Sequence, residues 1–374
     1  MTPRAAYVHV PFCRRRCGYC NFTVVAGRDA LVADYLRAIE LELQQLRVPR
    51  EIDTLFFGGG TPTQLSPSAL ERLCRLTSHW FPRAEGYEFS IEANPADLDD
   101  EKRGLLQSAG VNRISLGGQS FDDAKLERLE RDHRRGQLQQ AIARCRQIFP
   151  SLALDLIFAV PGETLGTWLA DLHAAIAAAA DHVSTYGLTF EKGAAFWGRR
   201  QRGQLPLVDE ESERQMYEAA IDMLTAAGFE HYEVSNFARP GHRCRHNEAY
   251  WRGQSYFAVG PGAARYVDGW RETNHRSTTT YLKRVLAGQS PVAERERLPP
   301  ADSARERLVF GLRLLEGVDR SSFAAATGFE IDALVGDALR RFVDRGLLED
   351  TGDRVRLTRA GLLVSDALWP AFLG

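Results

Sequence analysis

Short apolar runs alternate with longer amphipathic segments through the first half of the chain. β-Branched and aromatic residues concentrate in the short runs, which favours strands, and apolar residues recur at helical spacing in the segments between them. Predicted strands occupy residues 7–10, 52–57, 88–92, 113–116, 153–158 and 182–188. Predicted helices between them occupy residues 30–46, 67–81, 99–109, 124–129 and 164–179. Strands that alternate with helices of this length are typical of parallel βαβ units, so the pattern predicts an α/β fold built on a partial (β/α)6 barrel over residues 1–208.

The second half of the chain departs from this alternation. A middle region, residues 209–298, begins with a predicted helix and is then rich in glycine, histidine, arginine and aromatic residues, and 291–300 is predicted to be a linker. The remainder, residues 299–374, contains predicted helices at 303–315, 320–326 and 331–345, a hairpin-like segment at 347–357 and a last helix. That order predicts a C-terminal α+β domain resembling a winged helix.

Composition and charge narrow the possible functions. The 374 residues are enough for two domains or one barrel with an appendage, and 44% hydrophobic residues are enough for a sizeable core. A net charge of −2 gives no reason to expect a broad nucleic-acid surface. Residues 299–374 carry twelve acidic and ten basic side chains, so the winged-helix pattern predicts a structural or protein-contacting module. The sequence shows no transmembrane run and no secretory signal, and we expect a location in a reducing cytoplasm.

Three cysteines follow the first predicted strand with the spacing Cys13-x-x-x-Cys17-x-x-Cys20. A cubane of iron and sulfur is usually held by four cysteines, so three thiolates leave one iron open to bind a small molecule. A zinc site that adds His9 to the three thiols is one alternative. Structural thiols or a disulfide are another, although cytosolic thiols stay reduced.

A glycine loop, Gly-Gly-Gly-Thr-Pro at 58–62, follows the second predicted strand. Glycines let backbone groups approach a ligand closely, while a simple tight turn is the alternative. Polar side chains mark the next three strands: the third predicted strand ends at Glu92, Gln119 lies just beyond the fourth, and Asp155 lies within the fifth. Glu92 can accept hydrogen bonds from a ribose or an ammonium group, and a solvated strand end is the alternative for both Glu92 and Gln119. Asp155 lies among apolar neighbours, where a carboxylate needs a partner.

Arg131 follows the fourth strand and a short predicted helix. Its guanidinium could pair with a carboxylate through two parallel hydrogen bonds. A solvated surface arginine is the alternative.

The sequence around the cysteines resembles the cluster loop of the radical S-adenosylmethionine (SAM) superfamily. Within it, the chain resembles the branch of oxygen-independent coproporphyrinogen III oxidases and HemW-type haem chaperones, from Tyr7 to residues 316–319. The resemblance implies a [4Fe–4S] cluster on Cys13, Cys17 and Cys20. It implies SAM contacts at Tyr7, Tyr19, Gly59, Gly60, Thr61, Glu92, Gln119, Arg131 and Asp155. One departure is Gly118, where relatives usually carry a β-branched residue, and we expect it to loosen the packing there.

Two features favour the chaperone branch over the oxidases. The oxidases carry a further cysteine two residues after the third ligand, where this chain has Phe22. They also have a longer N-terminal extension, whereas this sequence begins six residues before Tyr7.

A segment of the middle region, residues 240–251, resembles the HNxxYW segment of HemW-type proteins through His246, Tyr250 and Trp251. Imidazole can ligate haem iron, aromatic rings can stack on the macrocycle and arginines can pair with propionates. His246 is the leading candidate for haem contact, with His242 and Cys244 as weaker ones. The alternative is a packing loop in which a backbone carbonyl satisfies His246.

The resemblance implies a haem chaperone that hands haem to acceptor haemoproteins. Oxidative decarboxylation of coproporphyrinogen III is the alternative activity, and a winged-helix regulator with an iron–sulfur sensor is a third possibility. Radical chemistry would require a flavodoxin- or ferredoxin-type reductant. Peripheral association with a membrane is left open, and the sequence does not indicate an oligomeric state.

Overall fold

Six parallel strands form the centre of the structure, a computed structural model that describes residues 2–374. The strands pair in chain order, each with the next, as the alternating pattern predicts. Both faces of such a sheet are covered, so its strands are mostly buried. They are β1 (Ala5–Val10), β2 (Ile52–Gly59), β3 (Arg83–Ala93), β4 (Arg113–Gln119), β5 (Ser151–Phe158) and β6 (His182–Gly187).

Helices cover the outer face between these strands. Several begin at a residue whose side chain accepts a hydrogen bond from the first turn, for example Asp99 from Lys102 N–H at 2.8 Å and Asp122 from Lys125 N–H at 2.7 Å. These helices are α1 (Val32–Gln44), α2 (Pro67–Trp80), α3 (Asp100–Ser108), α4 (Asp123–Arg128), α5 (Arg135–Arg146) and α6 (Leu165–Ala177), and a further short helix, α7 (Ala195–Gln201), follows β6. The partial (β/α)6 barrel is therefore confirmed.

The middle region does not form a separate layer, because its strands extend the same sheet at both edges. Its elements are α8 (Glu210–Ala226), β7 (Glu230–Glu233), β8 (Asn236–Ala238), α9 (Arg245–Trp251), β9 (Tyr256–Val259), β10 (Ala264–Val267), β11 (Trp270–Asn274), α10 (Thr278–Leu286) and β12 (Val292–Glu296). The twelve strands lie in the order β12-β11-β10-β9-β1-β2-β3-β4-β5-β6-β8-β7. The predicted linker at 291–300 is wrong, because β12 pairs with β11 along its length.

The C-terminal domain has the helix–strand–helix–helix–strand–strand order of a winged helix, as predicted. Its elements are α11 (Pro300–Leu312), β13 (Val318–Asp319), α12 (Arg320–Thr327), α13 (Ile331–Asp344), β14 (Leu348–Asp350), β15 (Arg354–Leu357), α14 (Arg359–Leu363), α15 (Ser365–Leu368) and α16 (Pro370–Leu373). One hydrophobic core runs continuously from the barrel into this domain, from Ala6 to Phe372. Among residues 2–374, no helix has the length and apolar character needed to cross a lipid bilayer.

Candidate functional site

The three cysteines lie on a loop that leaves the C-terminal end of β1. Two-residue strands, Phe12–Cys13 and Val25–Ala26, pair in parallel and close the base of this loop. On its far side, Phe196 N–H at the start of α7 donates a hydrogen bond to Gly18 O at 2.8 Å. All three thiols are half-buried and unpaired with one another. The fold therefore presents three cysteine sulfurs on one anchored loop, at the end of the barrel where strands deliver their C-terminal residues.

His9 does not join the cysteines. Its Nε2 lies 2.7 Å from Thr23 O and its Nδ1 lies 3.2 Å from the Tyr7 hydroxyl, so both ring nitrogens are engaged. Within the described part of the chain, residues 2–374, no three histidine, cysteine or carboxylate side chains surround a single metal-ion position. The arrangement disfavours a mononuclear zinc site with three cysteines and His9. It is compatible with a cluster whose sulfur ligands each bind a different iron.

The glycine loop after β2 packs against the base of the cysteine loop. Gly60 N–H donates to Val10 O at 2.8 Å and Thr61 N–H donates to Phe12 O at 2.7 Å. A Cβ atom on Gly60 would lie 2.7 Å from Val10 O, so a side chain at this position would separate the two loops. The Thr61 hydroxyl lies 3.6 Å from Cys13 Sγ. The glycine run thus does more than turn the chain, since it brings β2 against the cysteine loop.

Glu92 and Asp155 are two carboxylates inside the barrel, the first near the end of β3 and the second in the middle of β5. Glu92 Oε2 accepts a hydrogen bond from Gly59 N–H at 3.0 Å, and Asp155 accepts one from the Ser115 hydroxyl at 3.1 Å. Burial raises the pKa of Glu92 to about 8, and the nearby negative charge of Asp155 acts in the same direction. Burial also raises the pKa of Asp155 above its usual range. This pair can accept hydrogen bonds from hydroxyl groups or an ammonium group of a ligand.

Arg131 points inward, so the alternative of a solvated surface arginine is wrong. Its Nη2 donates to Gly117 O at 2.7 Å, and its Nη1 lies 3.6 Å from Cys17 Sγ. Its Nε is buried and has no hydrogen-bond partner among residues 2–374. A buried donor of this kind needs a partner, which a ligand carboxylate would supply.

Gln119 lies beside Arg131, in a left-handed backbone conformation with φ of 63°. A Cβ on Gly117 would lie 3.0 Å from Gln119 Nε2 and 3.3 Å from Arg131 Nη2, so a glycine there leaves room for both polar groups. The expectation that Gly118 loosens the packing is wrong. A Cβ on Gly118 would lie 2.7 Å from Leu154 Cδ1, which shows that neighbouring leucines already fill the space.

One cavity of about 1130 Å³ brings most of the predicted site together. Its lining includes Cys13, Cys17, Tyr19, Cys20, Gly59, Gly60, Thr61, Glu92, Gln119, Arg131 and Asp155. Tyr7 is absent from this lining, because its hydroxyl points to His9 and its ring packs on Phe56, with ring centroids 6.1 Å apart.

His246 lies away from this cavity. Its ring is held between the Thr54 hydroxyl at 2.9 Å from Nδ1 and the Tyr250 hydroxyl at 2.8 Å from Nε2. Thr54 is near the start of β2, whereas the cysteine loop lies beyond the strand ends. His246 is 1% exposed, and burial lowers its pKa to about 3, so the ring is neutral. Two side-chain hydroxyls, rather than a backbone carbonyl, satisfy the imidazole, which leaves neither nitrogen free for iron in this conformation.

The weaker haem candidates also lie outside the cavity lining. Cys244 is 2% exposed, with its sulfur 3.7 Å from Glu88 Oε1. His242 Nδ1 lies 3.3 Å from the Ser151 hydroxyl at the start of β5. The whole segment therefore packs beneath the N-terminal ends of the strands.

Sequence reasoning missed a buried ionic network beside the site. Lys125 is 0% exposed, and its Nζ contacts both Glu163 and Asp171, the latter at 2.9 Å. Asp171 also accepts hydrogen bonds from Phe121 N–H at 2.6 Å and from the Ser120 hydroxyl at 2.7 Å. The network joins the loop after β4, directly beyond Gln119, to the loop after β5. A lysine in a short polar helix gave no sequence signal of burial.

Tyr186 was also missed. It lies near the end of β6, lines the cavity and remains 42% exposed. Its position near a strand end, the same signal that identified Glu92, could have found it.

Comparison with known proteins agrees with this geometry. The family described as the Radical SAM superfamily matches residues 7–175, and the family described as HemN C-terminal domain matches residues 298–364. A Bacillus subtilis protein named heme chaperone HemW is 35% identical over 376 residues, covering 99% of each chain. A Synechocystis protein of the same name is 37% identical over 364 residues, covering 94% of this chain and 88% of that protein.

A solved structure has the same fold. It is the structure of coproporphyrinogen III oxidase (HemN) from Escherichia coli, a radical SAM enzyme. The superposition covers 99% of this chain and 90% of that chain, with a TM-score of 0.87 and 22% sequence identity.

A three-cysteine loop at the end of a partial barrel is the arrangement of a radical SAM protein. The chain belongs to this superfamily and, within it, to the family of the proteins named heme chaperone HemW. Membership of the superfamily implies a [4Fe–4S] cluster and SAM. The residues fit these groups, because the loop offers three thiols without a fourth, and Arg131, which lines the cavity beside it, has a buried Nε without a partner among residues 2–374.

Proposed function

We propose that this protein binds a [4Fe–4S] cluster and SAM in the cavity and carries haem to acceptor haemoproteins. The observation that carries the proposal is the convergence of the three-cysteine loop, two buried carboxylates and Arg131 on one cavity, in a chain related over its full length to proteins named heme chaperone HemW.

Cys13, Cys17 and Cys20 would hold the cluster. Burial raises the pKa of the Cys13 thiol to about 12, so metal binding has to displace its proton. Arg131 Nη1 lies 3.6 Å from Cys17 Sγ, so the guanidinium borders the site that the cluster would occupy. The chemistry supplied there would be one-electron reduction of SAM, with the electron delivered by a flavodoxin- or ferredoxin-type partner.

The residues around the cavity would hold SAM by its polar groups. Arg131 pairs with the carboxylate through the donor that the protein leaves free. Glu92 and Asp155 accept hydrogen bonds from the ribose or the ammonium group, and Gln119 offers an amide beside them. The remaining predicted contacts are Tyr7, Tyr19, Gly59, Gly60 and Thr61, of which only Tyr7 lies outside the cavity lining.

Haem contact at His246 is the part of the proposal that the geometry favours least. The imidazole would first have to leave both Thr54 and Tyr250. The prediction is therefore kept as a hypothesis with its own test, given in the Discussion.

Anaerobic haem loading tests the carrier function. Protein reconstituted with iron and sulfide is titrated with haem, then mixed with the haem-free form of a respiratory haemoprotein, with and without SAM. We expect a new Soret band on loading and its transfer to the acceptor. A triple Cys13, Cys17, Cys20→Ala variant separates cluster-dependent transfer from passive haem exchange. Absence of any spectral change with reconstituted wild type contradicts the proposal.

The oxidase activity is distinguished by its product. The likeness to the oxidase structure, at 22% identity, shows the fold alone. The same reconstituted protein is incubated with coproporphyrinogen III, SAM and dithionite. We expect no protoporphyrinogen IX, and its formation would show that the protein is an enzyme rather than only a carrier.

A further inference from the structure

Two neighbouring strands end in a strained backbone beside the cavity. Gln119, the last residue of β4, has φ of 63°, and Ala159, directly after β5, has φ of 58°. Only six non-glycine residues among residues 2–374 have a positive φ, and two of them lie at these paired strand ends. A left-handed conformation costs such a residue roughly 1–3 kcal/mol and persists only where the surrounding structure imposes it. Gln119 lines the cavity, so the constraint fixes a residue of the proposed SAM site.

Asp171 holds the turn that carries Gln119. The turn closes through Ser120 N–H, which donates to Gly118 O at 2.8 Å. The Ser120 hydroxyl and Phe121 N–H then both donate to the Asp171 carboxylate, at 2.7 Å and 2.6 Å. Asp171 lies on α6 and is 1% exposed, so buried hydrogen bonds tie the turn to a helix outside the sheet.

Lys125 connects Asp171 to the end of β5. Its Nζ contacts Asp171 at 2.9 Å and also contacts Glu163. Glu163 in turn accepts a hydrogen bond from Val160 N–H at 3.0 Å, one residue beyond the strained Ala159. Each strained strand end is therefore bonded, within two residues, to a carboxylate that Lys125 holds.

An apolar side chain could fill the space of Lys125 but could not make this connection. Burying three charges carries a desolvation cost that a well-packed apolar residue avoids, so the network is weak evidence for a gain in stability. An ammonium group has three N–H donors, which suits it to joining two carboxylates. Lys125 does not itself line the cavity, so its effect on a ligand has to pass through the residues that it holds.

We propose that Lys125 is a positioning residue for SAM and acts through Gln119. With Asp171 and the Ser120 hydroxyl, it holds Gln119 in the left-handed conformation that places its amide on the cavity lining, beside Arg131. The inference rests on the proposed binding of SAM and adds three buried residues that lie outside the cavity lining.

Ser120→Ala and Ser120→Thr test the positioning with a small change. The first removes the hydroxyl that donates to Asp171, and the second keeps it. Both are reconstituted anaerobically, and the Kd for SAM is measured by equilibrium dialysis with radiolabelled SAM. We expect Ser120→Ala to raise this Kd about tenfold and Ser120→Thr to stay within about threefold of wild type. Iron and sulfide are measured on each sample, so that a lost cluster is not mistaken for lost SAM binding. An equal rise for both variants would contradict a role for the hydroxyl and overturn the inference.

Glu42→Gln is the control for a general loss of stability. Glu42 is also a buried carboxylate, at 3% exposure, but it lies outside the cavity lining. Its two oxygens accept hydrogen bonds from the Tyr281 hydroxyl at 2.6 Å and from Asn274 Nδ2 at 2.7 Å, and an amide in its place cannot accept both in the same way. The variant should lose free energy of unfolding in urea and keep the wild-type Kd for SAM. If its Kd rises as much as that of Ser120→Ala, SAM affinity follows overall stability and the inference fails.

A double-mutant cycle tests whether Lys125 acts through Gln119. Lys125→Met and Gln119→Ala are measured alone and together, and Ser120→Ala replaces Lys125→Met in the cycle if the latter does not fold. We expect Lys125→Met to raise the Kd for SAM about tenfold in the wild-type background and less than about twofold in the Gln119→Ala background. Effects that multiply would overturn the positioning role while SAM binding stands. If wild type binds no SAM, the proposed function itself fails, and the positioning role fails with it.

Discussion

Glu92 Oε2 accepts a hydrogen bond from the Gly59 N–H at 3.0 Å and so ties the end of β3 to the glycine loop that follows β2. The position requires glycine, because φ at Gly59 is 105° and any other residue would place its Cβ 2.3 Å from the His9 ring. The carboxylate is consequently held inside the barrel, next to Asp155. Burial, with a contribution from the Asp155 charge, raises the pKa of Glu92 to about 8.

Glu92→Gln should make the SAM-free protein more stable at alkaline pH. Because the folded-state pKa of Glu92 is about 8 and its ordinary value is 4.5, the wild type loses stability as the pH rises through this interval. Glutamine does not ionise, so the stability of the variant lacks this dependence on pH. We expect the Tm difference between Glu92→Gln and wild type to grow by about 2 °C or more between pH 5.5 and pH 8.5, measured by calorimetry.

Glu101→Gln, an exposed substitution on α3, is the matched control and should show no such growth. A Tm difference for Glu92→Gln that stays constant with pH would show that Glu92 is ionised in the folded protein throughout this range.

Gly59→Ala should destabilise the barrel and loosen the glycine loop. The substitution combines a left-handed backbone with a Cβ placed against the His9 ring. We expect a loss of about 2–4 kcal/mol in the free energy of unfolding, measured by urea denaturation.

Gly86→Ala is the control that measures the cost of the left-handed backbone alone. Gly86 has φ of 67°, and no atom lies within 4 Å of an added Cβ. It should cost about 1 kcal/mol. If the two variants lose the same free energy of unfolding, the His9 ring moves away from the added Cβ at no cost.

Lys125→Met should destabilise the protein strongly. The change leaves Glu163 and Asp171 buried without their cation, at a cost of about 3–5 kcal/mol in the free energy of unfolding. Lys283→Met, at an exposed position on α10, should stay within about 0.5 kcal/mol of wild type in the same urea titration. A loss below about 1 kcal/mol for Lys125→Met would show that the two carboxylates are readily protonated or hydrated.

His246→Ala should lower stability without lowering haem affinity. The variant removes a buried ring and leaves the Thr54 and Tyr250 hydroxyls unpaired, which we expect to cost about 2–4 kcal/mol. His79→Ala, an exposed substitution on α2, is the control and should be nearly neutral. A folded His246→Ala protein with full iron content and a haem Kd raised tenfold would establish His246 as a haem contact instead.

Acid sensitivity gives a second measure of the role of His246. Its folded-state pKa is lowered by burial to about 3 from an ordinary value of 6.5. Below about pH 6.5 the imidazole is therefore protonated in the unfolded chain but not in the folded protein. The free energy of unfolding falls as the pH drops, by up to about 1.4 kcal/mol per pH unit from this one residue. The unfolding free energy of His246→Ala should fall less steeply than that of wild type between pH 6.5 and pH 4.5.

The sequence was most informative where local pattern and chemistry coincide. Parallel strands place their C-terminal ends at one edge, so Glu92 and Gln119 could be grouped from the sequence, and Asp155 could be singled out as a carboxylate among apolar neighbours. The predicted barrel strands and helices overlap the observed ones, because hydrophobic periodicity is a local signal, whereas β7–β11 in the middle region were not predicted. β12 was missed because its charged residues resemble a solvated linker, and only pairing with β11 makes it a strand.

Contacts distant in sequence explain the other differences. Arg131 and Lys125 are both cations on short helical segments, and nothing local distinguishes them from surface residues. Their burial depends on carbonyl and carboxylate partners that the fold supplies from other strands and loops. His246 has the composition of a haem ligand, yet its environment is decided by Thr54, which is 192 residues away.

The edge strand β12 affects whether two copies of the protein can pair through their sheets at high concentration. β12 lies at the outer edge, and its residues 293–296 are all exposed. Glu294, Arg295 and Glu296 present alternating charges along that edge, and Arg295 is stacked 3.9 Å over the Trp270 ring. A foreign strand that attempted to pair there would have to desolvate these charges, which discourages edge-to-edge aggregation. This edge of the sheet therefore disfavours the addition of a further strand.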